Sequence, residues 1–259
     1  MPARSAVSRG YKLAYEDVGR GPAIVLINGL GGPAEEWREA GYVDALSGRY
    51  RLVLFDPLGH GASERPHDVH PYAAPDAGLD IVAAMDAAGI AQATLWGYSR
   101  GAHLAATAAA ECPDRVASLI VGGSTLRPPR VTREPIRPRT KALLEGDWTA
   151  FWATLPSPVP EAYRRYYETA NDPKALGAAT LAGERSCYQI DFGAIRAPTC
   201  LYCGAQDAAD ATFHSELQLI ARELGTDAHI LPGDHDHFAA FDDAETVLAV
   251  VAPYLPKGP

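Results

Sequence analysis

At 259 residues, 47% of them hydrophobic and 21% charged, the chain suits one large α/β domain with an apolar core and room for an insertion. A net charge of −9 repels phosphate backbones, and no apolar run approaches membrane-spanning length, so neither nucleic acid nor membrane is an expected partner. The first ten residues carry two arginines and no apolar stretch, so they are not expected to act as a secretory signal.

In chain order, residues 11–18 alternate as an edge strand does, and 19–22 form a turn. Residues 23–27 are continuously apolar, as expected of a strand buried on both faces. They run into a glycine-rich loop, Asn28-Gly29-Leu30-Gly31-Gly32-Pro33, at the strand end where open parallel sheets place their sites. A helix is predicted over 35–46, anchored by Trp37, Tyr42, Val43 and Leu46, then a strand over 51–55. That strand ends in Asp56-Pro57-Leu58-Gly59-His60-Gly61-Ala62-Ser63. Pro75 and Asp76 open the next helix and Gly89 closes it.

A short apolar run from Ala93 then breaks at Gly97-Tyr98-Ser99-Arg100-Gly101 and continues as an Ala-rich helix to about Cys112, stopped by Pro113. This describes a strand, a sharp turn and a helix with a serine at the apex. Residues two away from that serine must be small, and Gly97 and Gly101 carry no Cβ. Residues 116–121 make another strand, and the alternation implies a mostly parallel, doubly wound sheet. Thereafter the rhythm breaks. Arg127, Arg130, Arg133, Arg137 and Arg139 are interleaved with prolines, and an aromatic-rich helical block follows. The arginines fit either a solvated connector or a device that attracts an anionic substrate. After Pro198 the strand–helix pattern resumes, with strands over 199–203 and 228–231 and helices over 213–224 and 242–255. The expected division is a core of 1–125 and 198–259 with an insertion over 126–197.

A serine hydroxyl needs a base to remove its proton, and the base needs an orienting acid. The order Ser, acid, His places the candidates after the insertion, each at a strand end. Asp207 and Asp210 follow the strand over 199–203; His235 and His237 follow the strand over 228–231. The Pro-Gly-x-x-x-His-Phe spacing favours His237, and the distance from its strand favours Asp207. Asp234-His235-Asp236-His237 can also be read as metal ligands, but no third ligand stands at helical spacing nearby, so no metal is expected. Cys200 and Cys203 lie in one strand, where alternation turns them to opposite faces; free thiols are expected, and with them a cytoplasmic location.

These pieces resemble the α/β-hydrolase family over nearly the whole chain outside the insertion. The likeness is carried by the Ser99 pentapeptide, the Asn28-Gly29-Leu30-Gly31 loop, the segment from Asp56 to Ser63, Gly204-Ala205-Gln206-Asp207, and the run from Pro232 to Phe238. The resemblance implies a nucleophilic Ser99, a general base His237, an orienting Asp207, and an oxyanion hole of the Leu30 and Arg100 backbone N–H groups. It makes the insertion a small cap over the pocket, with Asn28, Trp148 and Trp152 as candidate substrate contacts. Two positions depart from the family pattern: Asn28 stands where histidine is usual, and Leu58 where arginine is usual. The expected activity is that of a cofactor-free serine hydrolase of esters, thioesters or lactones of small molecules, as a monomer or homodimer. Alternatives on the same fold are a carbon–carbon hydrolase of a vinylogous keto acid, or a non-hydrolytic receptor, lyase or cyclase.

Overall fold

The computed structural model describes residues 4–127, 135–155, 159 and 161–257. Among these, eight strands share one sheet: β1 (Arg4–Ser8), β2 (Tyr11–Gly19), β3 (Ala23–Ile27), β4 (Arg51–Asp56), β5 (Ala93–Tyr98), β6 (Val116–Gly122), β7 (Thr199–Cys203) and β8 (Ala228–Ile230). Their spatial order is β1-β2-β4-β3-β5-β6-β7-β8. The pairs from β4 through β8 are parallel, while β1–β2 and β2–β4 are antiparallel. This is the mostly parallel, doubly wound sheet that the alternation implies, and the strand order gives it the α/β-hydrolase architecture.

The helices are α1 (Glu36–Glu39), α2 (Tyr42–Leu46), α3 (Asp76–Ala87), α4 (Arg100–Glu111), α5 (Pro138–Glu145), α6 (Trp148–Trp152), α7 (Glu161–Ala170), α8 (Pro173–Glu184), α9 (Ala205–Ala209), α10 (Ala211–Leu224), α11 (Ala239–Asp242) and α12 (Ala244–Val251). The continuous apolar runs are explained by two cores. Val25 and Ile27 of β3 face the side packed by α3, α4 and α10, whereas Ile24 and Leu26 face Trp37, Tyr42 and α12. Cys200 and Cys203 are both fully buried and divide between the same two cores, on opposite faces. Burial pushes each thiol up to about 12.

Three elements differ from the sequence expectation. Residues 11–18 are not an edge strand, because β1 pairs outside them through a two-residue turn, Arg9-Gly10, with φ of 53° and 88°. Only Ala6 of β1 is buried, so no alternation marked it, and Arg9 is held from a distance by Asp80 at 2.6 Å. The helix over 35–46 is broken into α1 and α2 at Gly41, whose φ of 91° no helix accommodates. The final helix is shorter than 242–255: Asp243 caps α12 through the Thr246 N–H, and a single 3₁₀ turn at Pro253 ends it.

Between β6 and β7 the described chain forms α5 to α8 around an apolar cluster of its own, which includes Leu143, Phe151, Trp152, Tyr167 and Leu176. Arg130 and Arg133 lie outside the described residues. The other three connector arginines are engaged with this chain itself. Arg127 pairs with Glu223 at 2.9 Å, Arg137 approaches Glu184 at 3.8 Å, and Arg139 lies 5.4 Å over the Phe151 ring.

Candidate active site

Ser99 sits between β5 and α4 with φ 52° and ψ −117°, a backbone state that a side-chain-bearing residue adopts only under constraint. The constraint is visible in the glycines. A Cβ on Gly97 would lie 2.3 Å from the Gly101 carbonyl, and one on Gly101 would lie 2.2 Å from the Ile27 carbonyl. The first turn of α4 is therefore pressed onto the ends of β5 and β3, and the serine is forced to the apex. Its N–H donates to the Gly122 carbonyl at 2.8 Å, which fixes the turn to the end of β6.

At the same sheet edge, His237 Nδ1 and Asp207 Oδ2 are 3.0 Å apart. The carboxylate can only accept, so Nδ1 carries the proton and Nε2 is left as a base. The two loops are laced together: the Gln206 N–H donates to the His235 carbonyl at 3.0 Å and Gln206 Nε2 to Asp234 Oδ1 at 2.9 Å. Tyr98, beside the serine, donates its hydroxyl to the His237 carbonyl at 2.5 Å. Gly123 follows β6 with φ 60°, and a Cβ there would lie 3.0 Å from His237 Cε1. Among the described residues Ser99 Oγ makes no hydrogen bond within 3.5 Å. Catalytic hydrogen bonds commonly tighten only around a bound substrate.

The competing residues are otherwise engaged. His235 Nε2 pairs with Asp243 at 3.1 Å, and Asp210 caps α10 by accepting from the Phe213 N–H at 2.8 Å. Asp236 accepts from the N–H groups of Phe238 and Ala239. Each side chain of the run from Asp234 to His237 thus takes a different partner. Among the described residues no three His, Cys, Asp or Glu side chains gather as metal ligands.

The loop after β3 lies against the serine: a Cβ on Gly29 would stand 3.2 Å from Ser99 Cβ. Asn28 is buried and spent within the loop. Its Oδ1 accepts from the Gly29 N–H at 2.8 Å and its Nδ2 donates to Glu36 Oε2 at 2.6 Å. Burial pushes the Glu36 carboxyl up to about 7. The Asn28 amide thus braces this loop against α1. Leu58 is held by core packing and His60 is a fully buried loop brace, its Nδ1–H donating to the Leu58 carbonyl at 3.0 Å. Neither the Leu30 nor the Arg100 backbone N–H has an acceptor among the described residues.

The insertion grips this loop from above. The Tyr167 hydroxyl donates to the Leu30 carbonyl at 3.1 Å, and Asn171 Nδ2 to the Gly31 carbonyl at 2.8 Å. Gly31 has φ 77°, and a Cβ there would fall 1.9 Å from the Tyr167 hydroxyl. Trp148 and Trp152 stack on each other at 6.1 Å within the insertion's aromatic cluster, and Trp152 Nε1 donates to Glu168 at 2.6 Å. Their described contacts are structural ones. Sequence reasoning missed Tyr98, Gly123, Tyr167 and Asn171. The first two carry a faint signal, one inside the pentapeptide and one in the glycine pair at the end of β6; the last two meet a loop some 140 positions away and carry none.

A family model described as the alpha/beta hydrolase fold matches residues 22–244. The chain belongs to that family. Among curated relatives, a RutD carbamate-hydrolase candidate from Azorhizobium caulinodans is 31% identical over 144 residues, 56% of this chain and 53% of that protein. The 3-oxoadipate enol-lactonase 2 of Acinetobacter baylyi is 31% identical over 106 residues, 41% of this chain and 38% of that protein. The chain spans about half the length, or less, of the curated relatives it matches. Among solved structures, Est816, described as an N-acyl homoserine lactone degrading enzyme, superposes with a TM-score of 0.76 at 21% identity over 97% of this chain and all of the other. At that identity the likeness is one of fold. No helix of this hydrolase-fold protein, among the described residues, is long and apolar enough to cross a membrane.

Proposed function

We propose that this chain is a serine hydrolase that cleaves a carboxylic ester, thioester or lactone of a small molecule through an acyl-enzyme on Ser99. The observation that carries the reading is the strained Ser99 apex at the same sheet edge as the His237–Asp207 couple. In this reading Ser99 Oγ attacks the carbonyl carbon while His237 Nε2 takes the hydroxyl proton. The negative charge on the carbonyl oxygen is met by the backbone N–H groups of Leu30 and Arg100, aided by the N-terminus of α4. His237 then returns the proton to the leaving oxygen or sulfur. Water, deprotonated by His237, attacks the acyl group and restores Ser99. Asp207 holds the imidazole in the productive tautomer and stabilises its cationic form. Helices α5 to α8 serve as the cap. The lactonase and hydrolase names among the relatives support an acyl substrate and narrow it no further.

The deciding experiment is intact-mass analysis after exposure to a fluorophosphonate. One adduct is expected on the native protein, and its site is Ser99 by peptide mapping. A well-folded protein that takes no adduct would overturn the reading, and ligand binding without turnover would then favour a receptor.

The grip of Tyr167 on Leu30 makes the cap part of the oxyanion device. Tyr167→Phe removes one hydrogen bond while keeping the ring packing, so kcat is expected to fall by about 3- to 10-fold with KM nearly unchanged. Steady-state kinetics on an aryl ester check this; a pure KM effect would place Tyr167 in substrate binding instead.

A further inference from the structure

Tyr98, Gly122 and Tyr202 stand side by side across β5, β6 and β7, so the three positions point to the same face of the sheet. The middle one carries no side chain. A Cβ on Gly122 would lie 2.6 Å from Tyr98 Cδ2 and 2.4 Å from Tyr202 Cζ, and the two rings meet over it with centroids 6.1 Å apart. Gly123 opens the path beyond, where a Cβ would lie 2.8 Å from Tyr98 Cζ. The glycine pair thus clears a slot for the buried Tyr98 side chain, whose ring has Phe241 at 5.1 Å and the His237 imidazole at 5.2 Å, centroid to centroid. At the end of the slot the hydroxyl donates to the His237 backbone carbonyl at 2.5 Å.

A buried phenol needs an acceptor somewhere, so the bond alone assigns no role. Its address does. The Tyr42 and Tyr72 hydroxyls end on the carbonyls of Phe241 and Pro66, which are parts of the scaffold, whereas that of Tyr98 ends on the proposed base. His237 has little else to hold it. Among the described residues it makes no backbone–backbone hydrogen bond, and its neighbours His235 and Asp236 are tied to Gln206 and to the start of α11. Two bonds fix it, one from Nδ1 to Asp207 and one to its carbonyl from Tyr98. The first sets the tautomer and the tilt of the ring. The second is, among the described residues, the single hydrogen bond joining residues 231–238 to the elbow 97–101. Tyr98 and Ser99 are consecutive, so base and nucleophile hang from one short stretch of backbone. Burial holds the phenol far above its ordinary range, and the hydroxyl therefore stays a donor at any working pH.

We propose that Tyr98 is a positioning residue of the reaction: by tying the His237 backbone to the residue before Ser99, its hydroxyl sets the approach of the imidazole to the serine oxygen. The proposal rests on the serine-hydrolase reading and adds a residue to it. Without the hydroxyl, the base loop keeps its hold on Asp207 and α11 but loses its tie to the elbow, and the imidazole can drift from Oγ. The Gly122-Gly123 pair gains a function as well, since a side chain at either position would displace the phenol.

Tyr98→Phe keeps the ring contacts and removes only the donor. Its kcat on an aryl ester is expected to fall by about 10- to 100-fold, the range that a misplacement of about 1 Å produces, with KM within about twofold of native. Fluorophosphonate labelling of Ser99 should slow by the same factor. Tyr202→Phe controls for a softened aromatic wall, because its hydroxyl accepts from Trp96 Nε1 at 3.2 Å and makes no hydrogen bond to the base loop. That variant is expected to lower the unfolding midpoint and to keep kcat within about threefold of native. The deciding arm repeats Tyr98→Phe in a His237→Ala background, where the backbone carbonyl remains but no imidazole is left to aim. There the labelling rate should be indifferent to the Tyr98 hydroxyl. A loss by the same factor in both backgrounds means that Tyr98 acts on Ser99 or on the fold, and it overturns the proposal. So does a native-like kcat in Tyr98→Phe, an effect on KM alone, or an equal loss in Tyr202→Phe. A Tyr98→Phe that fails to fold overturns it too, since a hydroxyl on which the fold depends is structural. Failure of the underlying reading is seen separately, because the native protein then takes no adduct and cleaves no ester.

Discussion

Ser99→Ala is expected to lower kcat/KM for an activated aryl ester by about 10⁴-fold or more and to abolish the fluorophosphonate adduct. The size of the loss follows from what remains. Without Oγ no acyl-enzyme forms, and His237 can only assist a water that the site does not position for attack. The proposed oxyanion donors at Leu30 and Arg100 stay in place, so a residual acceleration over the uncatalysed reaction is expected. The fold should be indifferent to the change. Ser99 Oγ makes no protein hydrogen bond among the described residues, and the φ of 52° is imposed by Gly97 and Gly101, which an alanine at the apex leaves untouched. An unchanged unfolding midpoint together with lost turnover is therefore the expected pair of results. Turnover within tenfold of native in a variant shown by mass to lack the hydroxyl would remove Ser99 from the chemistry.

The serine was legible because its demands are local. A strained apex needs small residues two positions away, a buried strand before it and a helix after it, and all of these are contiguous from Ala93 to Ala106. The candidate acid and base were legible to a lesser degree. Two aspartates and two histidines follow β7 and β8 at similar distances, and only the partners chosen in three dimensions separate them: Asp210 is a helix cap, and His235 belongs to Asp243. Asn28 shows what a pattern leaves out. At a position that invites substrate, its amide is used up by the Gly29 N–H and by a Glu36 carboxyl eight residues on. The departures at Asn28 and Leu58 are compensated by that carboxyl and by core packing, neither of which has a sequence signature. β1 was invisible for the opposite reason, since a strand with one buried side chain carries no periodicity. The contacts between the insertion and the loop after β3 are sequence-remote, and a reading by periodicity has no access to them.

Asp207→Asn carries the second large effect, and it tests the couple rather than the nucleophile. Asp207 accepts from His237 Nδ1 at 3.0 Å and is itself only partly exposed, so its charge acts across a short, sheltered path. An asparagine there keeps the volume but loses the charge that stabilises the imidazolium. Its amide can also turn a donor toward Nδ1, which would draw the imidazole into the tautomer with the proton on Nε2, facing Ser99. A serine facing a protonated nitrogen has no base. A fall of about 10³- to 10⁴-fold in kcat is expected, with KM little changed and with the rate of fluorophosphonate labelling falling in parallel. In the proposed mechanism serine, histidine and aspartate act as one unit, so the Ser99→Ala, Asp207→Asn double variant should be no slower than Ser99→Ala alone. Asp210→Asn supplies the contrast. It touches only the α10 cap, where asparagine is an equally good capping residue, so its activity should stay within about threefold of native. Should Asp210→Asn prove the crippled variant and Asp207→Asn the active one, the acid would have to be reassigned. The His237 loop would then have to reach α10 in the working enzyme, against the lacing that Gln206 provides between the acid and base loops.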